Sequence, residues 1–248
     1  MKIAGSSFGL DAPLELRDEE VQLWRVDLES IRSQELRWQE LLSPDEKKRA
    51  ARFHFSTDRQ NFVAARAILR KLLAAYLADE PAKLSFSYSK KEKPFLSPPH
   101  AGSGITFNVS HSGGAALFGF ARKRDIGVDI EHIRHDVDAE AIARRFFSSH
   151  EQKQLSALSG AKKIEAFFRC WTRKEAYIKA TGDGLSLPLS QFDVSLEEES
   201  VDALVTTRMD PAEAKDWLLQ EVAAGDGYVG AICARGRTWR LTQWSADL

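Results

Sequence analysis

Twice along this 248-residue chain the apolar residues run at helical spacing and then switch to strict alternation. Ser43-Pro44-Asp45-Glu46 is a helix start, with a capping serine, a proline at the first helical position and a glutamate that closes a capping box. That helix is expected to run to about Phe53. A second begins near Thr57 or Asp58, with Phe62, Ala65, Leu69, Leu72, Leu73 and Tyr76 on its core face. Alternation follows in Leu84–Tyr88, Ile105–Val109 and Ile126–Glu131, with a small-residue strand over Ala115–Ala121. The plan then recurs. Helices are expected over Val137–Phe147, from Ser148 with Glu151 as its capping-box partner, and over Ile164–Ala180, stopped by Gly182 and Gly184. Five strands come after them, around Phe192–Leu196, Ala203–Thr207, Trp217–Val222, Tyr228–Ala234 and Trp239–Trp244. Ahead of everything, residues 1–20 read as an arm or a loop, with or without one short strand, and Val21–Leu28 as a strand with Trp24, Val26 and Leu28 on one face. Helices and strands segregated in this way predict an α+β protein, and the shared plan is compatible with internal duplication. The seam is expected near Arg122–Asp125, giving halves of 1–122 and 123–248.

Composition narrows the function. A formal net charge of -1 argues against a global nucleic-acid binder. Two cysteines, Cys170 and Cys233, make neither a disulfide framework nor a four-ligand zinc site, and both read as buried thiols of a reducing compartment. The opening MKIAGSSFGLDAPLE lacks the apolar run of a secretory signal, and no stretch reaches the roughly 18 apolar residues of a membrane span. A soluble cytoplasmic protein is expected.

Three segments carry chemistry. In Ile126-Gly127-Val128-Asp129-Ile130-Glu131, alternation buries the three aliphatic residues and projects both carboxylates from the opposite face beside a glycine. Like charges this close raise each other's pKa, and a hard cation between them relieves the repulsion. The ordinary alternative is a solvated acidic strand face. In Trp171-Thr172-Arg173-Lys174-Glu175-Ala176-Tyr177-Ile178-Lys179, Glu175 and Lys179 stack four apart on a helix. They read either as a surface ion pair or, since Glu175 borders the apolar stripe of Trp171, as groups facing a cleft. In Asn108-Val109-Ser110-His111-Ser112-Gly113-Gly114 a strand ends in hydroxyls, an imidazole and glycines. That is a phosphate cradle or a hairpin turn, and it is not a Walker loop.

Together NVSHSGG, GVDIE and WTRKEAYIKATGDGLSLPL resemble the surfactin-synthetase-activating type of 4'-phosphopantetheinyl transferase, in order and spacing. Lys93-Pro94-Phe95 resembles the family's Lys-Pro element, and the likeness covers about residues 43–196. The resemblance implies two α/β halves related by a pseudo-twofold, with the active site in the cleft between them. It implies transfer of phosphopantetheine from coenzyme A to a carrier-protein serine, with release of adenosine 3',5'-bisphosphate. It further implies Mg2+, with Mn2+ as the alternative, on Asp129, Glu131 and Glu175. Glu175 would serve as general base, and Lys179 would steady the leaving phosphate. Ser110 and His111 would contact the phosphates of coenzyme A.

Arg49, Arg59 and Arg66 are the arginines favoured for the adenosine end, over Arg52 and Arg70, with Lys93 beside them. Each arginine has a solvated helix face as its ordinary alternative. Two positions depart from the pattern: Glu46 stands where a familiar member has lysine, and Glu92 where glycine often precedes Lys-Pro. Phe146-Phe147 resembles the family's paired phenylalanines, with core packing preferred over a docking lip. Acyl, peptidyl and aryl carriers are the partners implied; neither nucleic acid nor membrane is expected, and a monomer is. Two rival readings stand beside this one. One is a Mg2+-dependent nucleotide phosphotransferase or hydrolase, the other a non-catalytic coenzyme A-binding protein.

Overall fold

The computed structural model describes residues 3–4, 13–182, 184–198, 200 and 202–246. Half of the expected arm or loop lies outside them; within the rest, β1 spans Ile3–Ala4. β2 (Glu20–Asp27) leads to α1 (Glu35–Glu40), α2 (Pro44–Ala50) and α3 (Ser56–Leu77). A hairpin of β3 (Phe86–Tyr88) and β4 (Pro94–Leu96) precedes β5 (Ile105–Ser112) and β6 (Ala115–Arg122). The same order then returns. β7 (Ile126–His132) is followed by α4 (Ala139–Phe146), α5 (Ser149–Ser156) and α6 (Gly160–Thr181). The hairpin of β8 (Phe192–Val194) and β9 (Leu204–Thr207) comes next, then β10 (Trp217–Val222) and β11 (Tyr228–Arg235). β12 (Arg240–Ala246) closes the described chain.

Strand order repeats with element order. The first half is ordered β2-β6-β5 and the second β7-β11-β10, all antiparallel. The repeat extends to side chains. Ser43 and Glu46 cap α2 reciprocally, and Glu46 Oε2 also accepts from Arg70 Nε at 2.8 Å. Arg70 Nη1 donates onward to the carbonyls of Pro81 and Leu84. In the second half Ser148 and Glu151 cap α5, Lys174 Nζ lies 2.8 Å from Glu151 Oε1, and it donates to the carbonyls of Leu189 and Phe192. Each 22-residue helix, α3 or α6, is thus pinned by one buried cation to the cap of the preceding helix. Such charges are tolerated in a core because each is both paired and hydrogen-bonded.

The layers follow from strand parity. Trp24, Val26 and Leu28 of the β2 segment pack under α3. Val21 and Leu23 point the other way, onto Ile126, Val128, Ile130 and Ile232 of the second sheet. The two sheets therefore meet face to face, with helices outside both. Gly127 is where β7 touches α6: a Cβ there would lie 2.2 Å from the Ala176 carbonyl oxygen and 2.4 Å from the Ala180 nitrogen.

The expected division of the chain needs one correction. β12, from the second half of the sequence, pairs in parallel with β2 and completes the first half's sheet. Its Gln243 also exchanges hydrogen bonds with the main chain of Ala223. Several boundaries shift: α6 starts at Gly160 rather than Ile164, and α1 had no sequence expectation. Cys170 and Cys233 are buried and free, Phe147 is in the core, and Phe146 packs edge-on to Trp171. Among the described residues no helix is long and apolar enough to cross a membrane.

Candidate functional site

Among the described residues β7 pairs only with β11, and no strand pairs with its outer edge. Alternate side chains of β5 serve that edge instead. Asn108 Oδ1 accepts from the Val128 N–H at 2.9 Å, and Ser110 Oγ donates to Asp129 Oδ1 at 2.8 Å. Ser112 Oγ donates to Glu131 Oε2 at 2.7 Å and accepts from the His132 N–H at 3.1 Å. A period of two on each strand makes this ladder, which joins the halves through side chains.

Asp129 is the buried centre of the site, at 3% exposure. Its Oδ1 accepts from Lys179 Nζ at 2.6 Å as well as from Ser110. Lys179 Nζ donates also to Ser110 Oγ at 3.0 Å and to the Val128 carbonyl at 3.3 Å, which occupies its three protons. Asp129 Oδ2 is buried and has no hydrogen-bond partner among the described residues. Burial pushes Glu131 up, its hydrogen bond from Ser112 works against that, and the Asp129 charge adds to it. Glu175 is pushed up to about 7, by burial first and by Asp129 next, with Lys179 opposing.

Three carboxylates that disfavour one another's charge, one with an unsatisfied buried oxygen, form a hard oxygen donor set suited to a divalent cation. They are not drawn together as a finished cage: among the described residues no three acidic, imidazole or thiolate groups cluster as metal ligands. In this arrangement the Lys179 ammonium supplies the positive charge at Asp129.

Ser110 and His111 do not act as one cradle. Strand alternation turns Ser110 to the carboxylates and His111 to the opposite side, into a cavity of about 210 Å³ against α3. The glycines form the hairpin-turn alternative: Gly113, with φ 57°, and Gly114 link Ser112 to its pair Ala115. The Gly114 N–H is already bonded to Tyr228 Oη.

The small cavity shares Arg49, Tyr88 and Glu92 with a larger one of about 720 Å³ that runs along α2 and includes Arg52 and Phe53. Arg66 lines the small cavity. Its guanidinium lies over the rings of Phe62 and Phe86, 3.6 Å from Glu46 Oε1, with Nη1 buried and without a hydrogen-bond partner among the described residues. Burial lowers its pKa. Such a donor is ready for an anionic acceptor.

Two expected contacts are elsewhere. Arg59 lines neither cavity, because its Nε is held 3.1 Å from Glu35 of α1. Lys93 lines neither cavity; it lines a separate one of about 230 Å³, with Ile126, Ala180 and Thr181. There its ammonium bonds the Ile126 and Lys179 carbonyls. The two departures also find physical roles. Glu46 is a buried cap and counter-ion to Arg70, and Glu92 adopts the φ of 60° that glycine takes without strain. Asn108 and Ser112 had not been singled out. Their parity with Ser110 was the available signal.

Comparison with known proteins accords with this geometry. The model described as the 4'-phosphopantetheinyl transferase superfamily matches residues 125–233. The model described as 4'-phosphopantetheinyl transferase, N-terminal, matches residues 29–119. The chain is 39% identical over 231 residues to the 4'-phosphopantetheinyl transferase HetI of a Nostoc species, covering 93% of this chain and 94% of that protein. It is 30% identical over 201 residues to the 4'-phosphopantetheinyl transferase Sfp of Bacillus subtilis, covering 80% of this chain and 84% of that one.

Proposed function

Because this chain belongs to the 4'-phosphopantetheinyl transferase superfamily, we propose that it moves the phosphopantetheine arm of coenzyme A onto a serine of acyl, peptidyl or aryl carrier proteins. The observation that carries this reading is the meeting, at Asp129, of the serine strand of one half with the lysine helix of the other.

The serine oxygen attacks the phosphorus next to pantetheine. The P–O bond to the second phosphate breaks, and adenosine 3',5'-bisphosphate leaves. Glu175 takes the serine proton at its carboxylate. Mg2+, or Mn2+, held by Asp129, Glu131 and Glu175 would neutralise pyrophosphate charge. Lys179, on the helix four residues past Glu175, faces the same carboxylates and steadies the departing phosphate. His111 and Arg66 face the cavity that would receive the nucleotide phosphates, and Arg49 stands where it opens into the larger groove. We propose further that the protein works in the cytoplasm as a single chain, without nucleic acid or membrane.

Incubation with coenzyme A, Mg2+ and a panel of apo carrier proteins, followed by intact mass measurement, tests this. The expected result is gain of one phosphopantetheine arm. No gain on any carrier rejects the reading, and release of adenosine bisphosphate without a carrier points to a hydrolase.

A further inference from the structure

The turn after β3 is built to aim Lys93. The Ser89 N–H donates to the Lys93 carbonyl at 2.9 Å, and the Lys93 N–H donates to Ser89 Oγ at 3.2 Å. Glu92 between them holds a φ of 60°. From this turn the Lys93 side chain crosses to the second half. Its Nζ donates to the Ile126 carbonyl at 3.0 Å and to the Lys179 carbonyl at 2.6 Å.

Both acceptors are telling. Ile126 is the first residue of β7, three before Asp129. Lys179 lies in the last turn of α6, where helix carbonyls have no partner within the helix. A cation there satisfies one of them and meets the negative end of the helix dipole. The side chain of that same Lys179 goes to Asp129 Oδ1 at 2.6 Å. The contacts form a closed circuit, from Lys93 to the Lys179 main chain, through its side chain to Asp129, and back along β7 to Ile126. The Gly127 contact, backbone on backbone, fixes the middle of the circuit.

We propose that Lys93 is a positioning residue: it locks the last turn of α6 to the start of β7 and so sets the placing of Lys179 against Asp129. Its kinetic consequence rests on the transferase reading above. A misplacement of about 1 Å in such a constellation costs roughly a hundredfold in rate. A residue that grips the nucleotide would instead weaken binding.

The test compares the wild type with Lys93→Met, which removes the donors, and Lys93→Arg, which restores them. For Lys93→Met the turnover number is expected to fall about tenfold to a hundredfold, while KM for coenzyme A and Kd for adenosine 3',5'-bisphosphate stay within about threefold. Lys93→Arg should recover most of the rate. Amide exchange over residues 176–181 should be faster in Lys93→Met than in the wild type. A tenfold or greater rise in the bisphosphate Kd with turnover unchanged, on the order of 1.4 kcal/mol, would make Lys93 a ligand contact and overturn the proposal. Unchanged turnover with unchanged exchange would overturn it too. Should Lys93→Met not fold, Lys93→Gln, whose shorter neutral amide lacks the ammonium, takes its place under the same criteria. A wild type that modifies no carrier sinks the transferase reading alone, since the exchange and bisphosphate measurements still decide on Lys93.

Discussion

At the scale of single residues, the site is a contest between carboxylates. Glu175 is pushed up to about 7 from an ordinary 4.5. The folded protein therefore holds its proton more tightly than the unfolded chain does. Stability from this group is fully present below about pH 4.5 and is lost as pH rises through about 7. A divalent cation on the proposed carboxylate set is expected to reverse that loss. Added Mg2+ is expected to raise the melting temperature more at about pH 8 than at about pH 6, where it must displace a proton. Equal shifts in parallel melts would contradict the carboxylate set. Glu175→Gln should lower turnover by about 10²–10⁴ with KM for coenzyme A little changed, as read from initial rates. The sequence made Asp129, Glu131, Glu175 and Lys179 visible because two periodicities, two on a strand and about four on a helix, place them on chosen faces. It could not make Arg59 or Lys93 legible in the same way. Their partners, Glu35 and the Ile126 and Lys179 carbonyls, come from other elements, and no local spacing records them.

At the scale of elements, a 22-residue helix and a strand are in backbone contact at Gly127. Gly127→Ala is expected to destabilise the protein by about 1–3 kcal/mol through overpacking, and to lower turnover by parting β7 from α6. Urea unfolding with activity assays checks both, and a neutral alanine would refute the contact. Helix starts were legible because capping boxes are local chemistry, as at Ser43–Glu46 and Ser148–Glu151. Their second role was not. Glu46 and Glu151 are also counter-ions to Arg70 and Lys174, from helices more than twenty residues away. Lys174→Met should cost about 3–5 kcal/mol in the same unfolding measurement, since it leaves the buried Glu151 carboxylate without its cation. Adding Glu151→Gln should recover part of that loss.

At the scale of the whole molecule, the two halves share strand order, helix order and the buried cation that anchors each long helix. A loose repeat in rhythm was as much as the sequence could offer, because arginine in one half and lysine in the other do the same work. The carboxylates occur on one side of the repeat only. Counting along the two frames, β2 presents Trp24 and Val26 where β7 presents Asp129 and Glu131. One half thus carries acid and the other apolar packing, which gives a single site rather than two.

The parallel pairing of β12 with β2 has a consequence for how the chain comes into being. A ribosome delivers residues 13–122 long before residues 240–246. Until those seven arrive, β2 is the outermost strand of its sheet and its hydrogen-bonding edge is open. The first half can gather its helices early, but its sheet is finished only by chain made afterwards. Birth order and spatial order are crossed here: a strand synthesised after the whole second sheet seals the sheet laid down before it.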